Sequence, residues 1–190
     1  RGIKNPLPVV RRRVTYLFQR FVKALRNQMF PYVRDIVNNV RDLLVLSFEV
    51  QQNFPFEDQM SLYESLGNLV GARPPGVAEF VSAVLDPVLA RLAEILDGRL
   101  YSTDTAERPY YATLAKQHLN AITVFSKGFG ALDKGEQQDA QIPRPFMKAL
   151  EESLRALQAM PEDPSMWTHV ATYLHRCIEI LGAIAIPGIV

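Results

Sequence analysis

A length of 190 residues allows one sizeable hydrophobic core, and 48% hydrophobic with 22% charged residues excludes a disordered chain. The net charge of +1 conceals an asymmetry: residues 1–46 carry ten Lys and Arg against two Asp, and the other 144 residues carry eleven against eighteen acids. The single cysteine, Cys177, excludes an internal disulfide. The sequence has neither a signal peptide nor an apolar run near the roughly 18 residues of a membrane span, so we expect a soluble intracellular protein.

The first 44 residues predict two helices, because apolar residues recur there at three- and four-residue spacing. The segment "NQMFP" ends the first helix, and Pro31 suits the first turn of the second. On the first helix we expect a core face of Val10, Val14, Leu17, Phe18, Phe21, Val22 and Leu25. The opposite, solvent-facing side holds Arg12, Arg13, Arg20, Lys23 and Arg26. The inner positions of the second helix are Val33, Ile36, Val37, Val40 and Leu44.

The same pattern continues to the end of the chain. After a loop, "FEVQQNFPFED", a helix runs through "QMSLYESLGNLVGA", and another follows Pro74 and Pro75 to about Leu100, with a kink near Pro87 because proline removes a backbone donor. Further helices are predicted at about 105–130, 144–160 and 164–182. The polar loop at about 132–143 is the longest, and we expect it to be mobile.

Seven helices in antiparallel pairs of about 50 residues favour an all-α solenoid of about three and a half HEAT-type repeats. We expect residues 1–190 to form a single segment of this kind. A closed bundle of six or seven helices remains an alternative, because periodicity does not fix how hairpins pack. Since the chain begins without Met and stops at the apolar "GAIAIPGIV", we expect it to be part of a longer protein.

No pattern in the sequence predicts catalysis, a cofactor or a metal site. The three histidines, His118, His169 and His175, lack the spacing of metal ligands, and we interpret each as a surface or groove residue. The "GFG" at Gly128 to Gly130 lacks the third glycine of a dinucleotide loop and indicates a helix end. No motif pairs a nucleophile with a base, so we expect a protein that is not an enzyme. A cleft holding a perturbed histidine beside a carboxylate would reopen that question.

Basic residues recur on the second helix of each predicted hairpin. Positions 34, 91 and 148 are evenly spaced, 57 residues apart, and each has a second base seven or eight residues later. We call this set the basic ladder: Arg34, Arg41, Arg91, Arg99, Lys148 and Arg155. On stacked helices it would form a groove that tracks phosphates. The alternative is a solvated face, because acids lie nearby: Asp35, Asp42, Glu94, Asp97, Glu151 and Glu152.

The stretch "RRRVTYLFQRFVKALRNQMFPYVRDIVNNVRDLLVL" resembles a helical hairpin of the exportin-T family, the tRNA exportins among the importin-β-like karyopherins. The likeness continues in order through "MSLYESLGNLVG", "LDPVLARL" and "YLHRCIEIL". This resemblance implies a HEAT-repeat superhelix that binds mature tRNA together with RanGTP in the nucleus and releases it in the cytoplasm. It also implies a middle-to-C-terminal segment of a larger exportin, with RanGTP bound mainly by repeats absent from this chain and nucleoporins as further partners.

The resemblance supplies no compact motif that could be carried over residue by residue. The predicted RNA-binding residues are therefore the basic ladder together with four bases of the first helix: Arg12, Arg13, Arg20 and Lys23. The run Arg11 to Arg13 could also belong to a nuclear-import signal, although a soluble helix surface accounts for it more simply. The alternative function is a protein-binding solenoid, either another karyopherin or an adaptor, and the acid excess after residue 46 is compatible with it.

Overall fold

The computed structural model describes residues 2–99, 107–138 and 141–188, and within these ranges all regular structure is helical. The α-helices of this part of the chain are Pro8–Leu25 (α1), Val33–Val40 (α2), Phe48–Asn53 (α3), Phe56–Val70 (α4), Val77–Glu94 (α5), Arg108–Ser126 (α6), Lys134–Gln138 (α7), Pro143–Ala159 (α8) and Pro164–Leu181 (α9). Short 3₁₀ turns lie at Gly2–Lys4, Phe30–Tyr32, Arg41–Leu44 and Gly182–Gly188, and a π turn at Ile95–Arg99 continues α5.

The long helices form two layers. In layer 1, α1, α4, α6 and α9 pack side by side in chain order, and in layer 2, α2, α5 and α8 do the same. The pairs α1 with α2, α4 with α5, and α6 with α8 are successive repeats, and α9 adds half of a fourth. Because α1 and α9 lie at opposite ends of layer 1, the repeats form an open stack. The predicted HEAT-like solenoid is therefore confirmed.

Three glycines, Gly67, Gly71 and Gly128, bring the last part of α4 and the end of α6 into backbone contact. A Cβ atom on Gly67 would lie 2.0 Å from the carbonyl oxygen of Phe125, and one on Gly128 would lie 2.0 Å from the carbonyl group of Gly67. No side chain fits at either position, so this contact between the second and third repeats requires glycine. Since α6 ends at Ser126, the "GFG" segment marks a helix end, as predicted.

The predicted core face of α1 is wrong in its outer part. Leu17 is 41% exposed, Phe21 56% and Leu25 41%, whereas the fully buried positions on this helix include Thr15 and Val22. The reason is that α1 contacts another layer-1 helix, α4, on one side only. Leu17 and Phe21 instead line an open groove of about 660 Å³ between α1 and α2. On α2 the inner positions are buried or half-buried, as predicted.

Arg11 differs from its neighbours in the basic run of α1. Its side chain is buried, and Nη1 donates hydrogen bonds to the carbonyl oxygens of Asn5 and Pro6 at 2.9 and 2.8 Å. Arg11 therefore fastens the chain that precedes α1 and is not part of an exposed basic patch. The surface interpretation of the run holds for Arg12 and Arg13, which are exposed.

Both predicted loops contain a short helix, α3 in the first and α7 in the second. At α7, Asp133 Oδ1 accepts a hydrogen bond from the Glu136 backbone at 2.9 Å, and Glu136 Oε2 accepts one from the Asp133 backbone at 3.1 Å. This reciprocal pattern is a capping box. Glu136 also forms an ion pair with Arg73, which follows α4. Residues 139 and 140 lie outside the described ranges, so the mobility of 132–143 stays a prediction.

The last helix is apolar on one side and packed there. Over Pro164–Pro187 the chain is long and apolar enough to cross a membrane by length and composition alone, a test that a buried helix also passes. Met166, Val170, Tyr173 and Cys177 of α9 are buried, and Tyr173 Oη donates a hydrogen bond to the Phe146 carbonyl oxygen at 2.8 Å. These contacts pack one face of α9 against α8 and α6. Burial raises the pKa of the Cys177 thiol to about 11.

Candidate nucleic-acid interface

The helices that carry the basic ladder are neighbours in layer 2, because α5 packs against both α2 and α8. The side chains of the ladder that the structure describes on this layer are Arg34, Arg41, Arg91, Lys148 and Arg155. The backbone of Arg99 ends the π turn after α5, and its side chain lies outside the described part of the chain. The sequence spacing thus places equivalent helices side by side, as the ladder requires.

Arg34 joins the first repeat to the second. Its Nη1 and Nη2 donate hydrogen bonds to the carboxylate of Glu79, at the start of α5, at 2.6 and 2.8 Å. The guanidinium also lies 5.6 Å from the centre of the Phe80 ring. The hydrogen bonds to Glu79 raise the pKa of Arg34 and lower the pKa of Glu79. Both groups are exposed, so dissolved salt weakens the attraction between Arg34 and Glu79. A phosphate that binds Arg34 would have to compete with Glu79.

Arg155 makes the equivalent connection between the second repeat and the third. It pairs with Asp97, in the π turn after α5, and with Glu152 of its own helix at 2.6 Å. Burial raises the pKa of the Glu152 carboxyl, and the charge of Arg155 opposes that rise. Arg91 pairs with Glu94 at 2.6 Å, one turn later on α5. Three bases of the ladder are therefore balanced by carboxylates, which is what a solvated, charge-paired face would show.

Arg41 and Lys148 differ from these three. Within residues 2–99, 107–138 and 141–188, neither side chain forms an ion pair or a hydrogen bond, and both are exposed. Lys148 and Arg144 line a groove between α5 and α8, opposite Glu79 and Asp86. Among the ladder side chains that the structure describes, Arg41 and Lys148 are thus the ones where an external anion would displace no ion-pair partner, although the charge of Lys148 also acts on Glu152.

Beside Arg41 lies a cleft of about 490 Å³ between the Arg41–Ser47 segment and α5, which we call the Arg41 cleft. Layer 1 holds this segment in place through two side chains of α4. Gln59 Nε2 donates to the carbonyl oxygens of Leu43 and Val45 at 2.9 and 2.8 Å, and Tyr63 Oη donates to that of Leu44 at 2.6 Å. Because both donors are buried, the segment is anchored to the core.

The four predicted bases of α1 lie in layer 1, away from the ladder. Lys23 Nζ lies 3.3 Å from a carboxylate oxygen of Glu64 on α4, and the Arg13 guanidinium lies 5.6 Å from the centre of the Tyr16 ring. Arg12 and Arg20 are exposed. The structure therefore divides the ten predicted residues between two layers, and it brings together those of the ladder only.

His118 lines the Arg41 cleft, which agrees with the groove part of the prediction for the three histidines, but the surface part is wrong for it because its side chain is only 2% exposed. Desolvation lowers its pKa to about 4. Burial also lowers the pKa of the half-buried His169, while His175 is exposed. No carboxylate lines the Arg41 cleft within the described residues, so the constellation of histidine and carboxylate that would indicate catalysis does not occur there. In the same part of the chain, no group of three or more His, Cys, Asp or Glu could hold a metal ion.

A family model described as Exportin-T matches residues 1–189. Exportin-T of Dictyostelium discoideum is 33% identical over 191 residues, which cover 96% of this chain and 18% of the relative. Exportin-T of Mus musculus is 29% identical over 195 residues, covering 100% and 20%, and that of Arabidopsis thaliana is 24% identical over 200 residues, covering 98% and 19%. The chain spans about a fifth of the length of the curated relatives that it matches.

Proposed function

The chain belongs to the Exportin-T family, and on this premise we propose that it is one segment of a nuclear export receptor that carries tRNA from the nucleus to the cytoplasm. In this proposal tRNA binds together with RanGTP. Other parts of the receptor make most of the contacts to RanGTP, and nucleoporins are further partners. The segment acts by shape and charge and catalyses no reaction. Binding of tRNA and RanGTP is coupled as a linkage between two sites, each favouring the same shape of the superhelix.

The single observation that best supports an RNA-binding role is the arrangement of layer 2. Three adjacent helices present bases at regular intervals, and two of these bases, Arg41 and Lys148, have no ion-pair partner among the described residues. RNA duplexes offer regularly spaced phosphates more readily than base edges, so a rigid stack with dispersed cations suits them. We therefore assign the RNA-facing surface to layer 2, with Arg41 and Lys148 as its principal phosphate contacts.

The test is an anisotropy titration of labelled mature tRNA with the full-length protein, with and without RanGTP, at two salt concentrations. The double variant Arg41→Glu/Lys148→Glu should weaken binding by at least about tenfold, and the salt slope should fall by about one for each phosphate that is no longer neutralised. The matched control is Arg12→Glu/Arg20→Glu, which reverses two exposed charges in layer 1 and should change the affinity little.

The pattern of results separates the alternatives. If the layer 1 variant weakens binding and the layer 2 variant does not, the RNA-facing surface is layer 1. If both variants bind like the wild type with an unchanged salt slope, these residues have no part in RNA binding. If no tRNA binds in the presence of RanGTP, the export function fails for this protein, and a protein-binding scaffold takes its place.

A further inference from the structure

The Arg41 cleft has the size and the walls of a ligand site. Its volume of about 490 Å³ lies within the range of roughly 300–1,000 Å³ that small-molecule sites occupy. Its walls are aliphatic, with Leu44 and Leu46 on one side and Val84 and Val88 of α5 on the other. A flat apolar group would be buried between them. The apolar walls alone do not show which group binds there, but the polar atoms of the cleft indicate its chemistry.

The first polar feature is a ring nitrogen of His118, whose side chain is only 2% exposed. His118 Nδ1 lies 2.7 Å from the carbonyl oxygen of Leu114 on the same helix. Because a carbonyl oxygen only accepts, Nδ1 carries the proton and Nε2 is left as a hydrogen-bond acceptor. No group within the described residues donates to Nε2. His118 lines the cleft, so its Nε2 is an acceptor that no described residue satisfies, on a side chain that is otherwise buried.

The second polar feature is a backbone carbonyl of α5. Pro87 has no N–H group, so the carbonyl oxygen of Ala83, four residues earlier, receives no helical hydrogen bond. Both residues are exposed and line the cleft. The N–H group that would normally satisfy the Ala83 carbonyl is thus missing at a position that lines the cleft, and we take this carbonyl as a second acceptor for a ligand. A ligand that satisfies both acceptors must bring hydrogen-bond donors.

The third feature is positive charge at the mouth. Arg41 lines the cleft and forms neither an ion pair nor a hydrogen bond within the described ranges. Arg91 lies on the other side of the mouth and is balanced by Glu94. The mouth is therefore complementary to one anion. The cleft as a whole fits a flat apolar ring that carries N–H donors and is linked to an anion.

We propose that the Arg41 cleft receives one unpaired nucleotide of the bound RNA, with an N–H group of the base donating to His118 Nε2 and the phosphate at Arg41. This inference rests on the proposed function. A nucleobase supplies flat apolar faces and N–H donors, and its phosphate supplies the anion. An aliphatic peptide side chain would bury apolar surface but leave both acceptors without partners. A base inside a duplex cannot enter, so the cleft selects single-stranded nucleotides.

The experiment compares two labelled probes that carry the same phosphates, a short single-stranded RNA and its abasic analogue, each titrated against the full-length protein. We expect the RNA with bases to bind about tenfold more tightly, the order of magnitude that one buried base provides. His118→Phe keeps an aromatic ring but removes the acceptor, and it should reduce this preference to about threefold or less. His175→Phe, on the exposed side of α9, is the matched control and should leave the preference unchanged.

Two further variants keep the test independent of any folding defect in His118→Phe. Ala83→Leu fills the cleft from an exposed helix position and should also remove the preference for bases. Arg41→Gln should weaken both probes by the same factor, because it removes a phosphate contact and no base contact. Thermal unfolding followed by circular dichroism identifies any variant that is no longer folded.

Each result has a defined meaning. Equal binding of the two probes, or a preference that survives His118→Phe and Ala83→Leu, overturns the nucleotide site but leaves tRNA export standing if full-length tRNA binds. Binding of tRNA without binding of either short probe has the same meaning. If neither tRNA nor the probes bind, the proposed function itself has failed. If an acidic peptide that contains Trp displaces the RNA probe while the abasic analogue still binds, the cleft belongs to a protein ligand.

Discussion

The first helix and the middle of the stack have similar apolar patterns but very different environments. α1 buries three of its 18 residues, whereas α4 buries eight of its 15. The difference lies in their neighbours, because among the described helices of layer 1 α4 packs between α1 and α6, while α1 packs mainly against α4. Apolar periodicity therefore shows which face of a helix can be buried, and the presence of a neighbour on that side decides whether it is.

The largest expected contrast is between Leu66→Ala in α4 and Phe21→Ala in α1. Leu66 is fully buried, so truncation should lower the free energy of unfolding by about 3 kcal/mol, because apolar burial is reduced and a cavity remains. Phe21 is 56% exposed, and its truncation should cost less than about 1 kcal/mol. Urea unfolding of the two variants measures both values. Similar losses would mean that the outer face of α1 is covered in solution, and repeating the measurement at several protein concentrations would reveal self-association.

The next contrast is in pH dependence. The pKa of His118 is about 4 in the folded protein, chiefly because of desolvation, and about 6.5 when unfolded. Between these values the unfolded state binds more protons. The contribution of His118 to stability is therefore complete above about pH 6.5 and falls by about 3 kcal/mol as the pH drops towards 4.

Urea unfolding of the wild type and of His118→Phe across this pH range isolates the effect. The difference between their free energies of unfolding should change by that amount, and a constant difference would show that His118 titrates normally. His118 lies on α6, whereas residues 1–46 contain no histidine. As the pH is lowered, backbone hydrogen exchange should therefore speed up in α6 at a higher pH than in α1.

The smallest contrast is between two tyrosine hydroxyls. Tyr63 is fully buried and its hydroxyl donates to the Leu44 carbonyl oxygen at 2.6 Å, so Tyr63→Phe should cost about 1–2 kcal/mol because it leaves that buried carbonyl without a donor. Tyr32, in the first hairpin, is 61% exposed, and Tyr32→Phe should change stability by less than about 0.5 kcal/mol. Thermal unfolding compares the two. A neutral Tyr63→Phe would indicate that water or a shift of the Arg41–Ser47 segment satisfies the carbonyl.

Much of the fold could be predicted because it depends on local patterns. The predicted start of α9 at Pro164 is confirmed, and so is its end near residue 182. The inner positions of α2 follow directly from apolar spacing. The prediction that α5 continues to about Leu100 agrees with the π turn, which extends this helix to Arg99. The kink near Pro87 stays a prediction.

The candidate site was less accessible from sequence, because its properties depend on contacts between distant residues. The even spacing of Arg34, Arg91 and Lys148 correctly indicated equivalent helices, but Glu79 had no sequence signal that marked it as the partner of Arg34. The burial of His118 was missed for a similar reason. Its neighbours Leu119, Ala121 and Ile122 lie in a run that is buried on every side. This apolar run was the sequence feature that could have indicated a buried His118.

The glycine contact between α4 and α6 has a mechanical consequence for the whole array. Where backbone meets backbone, no change of side-chain rotamer can adjust the separation of two helices. The interfaces of α1 with α4 and of α6 with α9 include side-chain contacts that can rearrange, such as Lys23 with Glu64 and Arg176 with the Ser126 carbonyl oxygen. The second and third repeats should therefore move as one rigid block, and any flexing of the array under load should concentrate at the joints on either side of it.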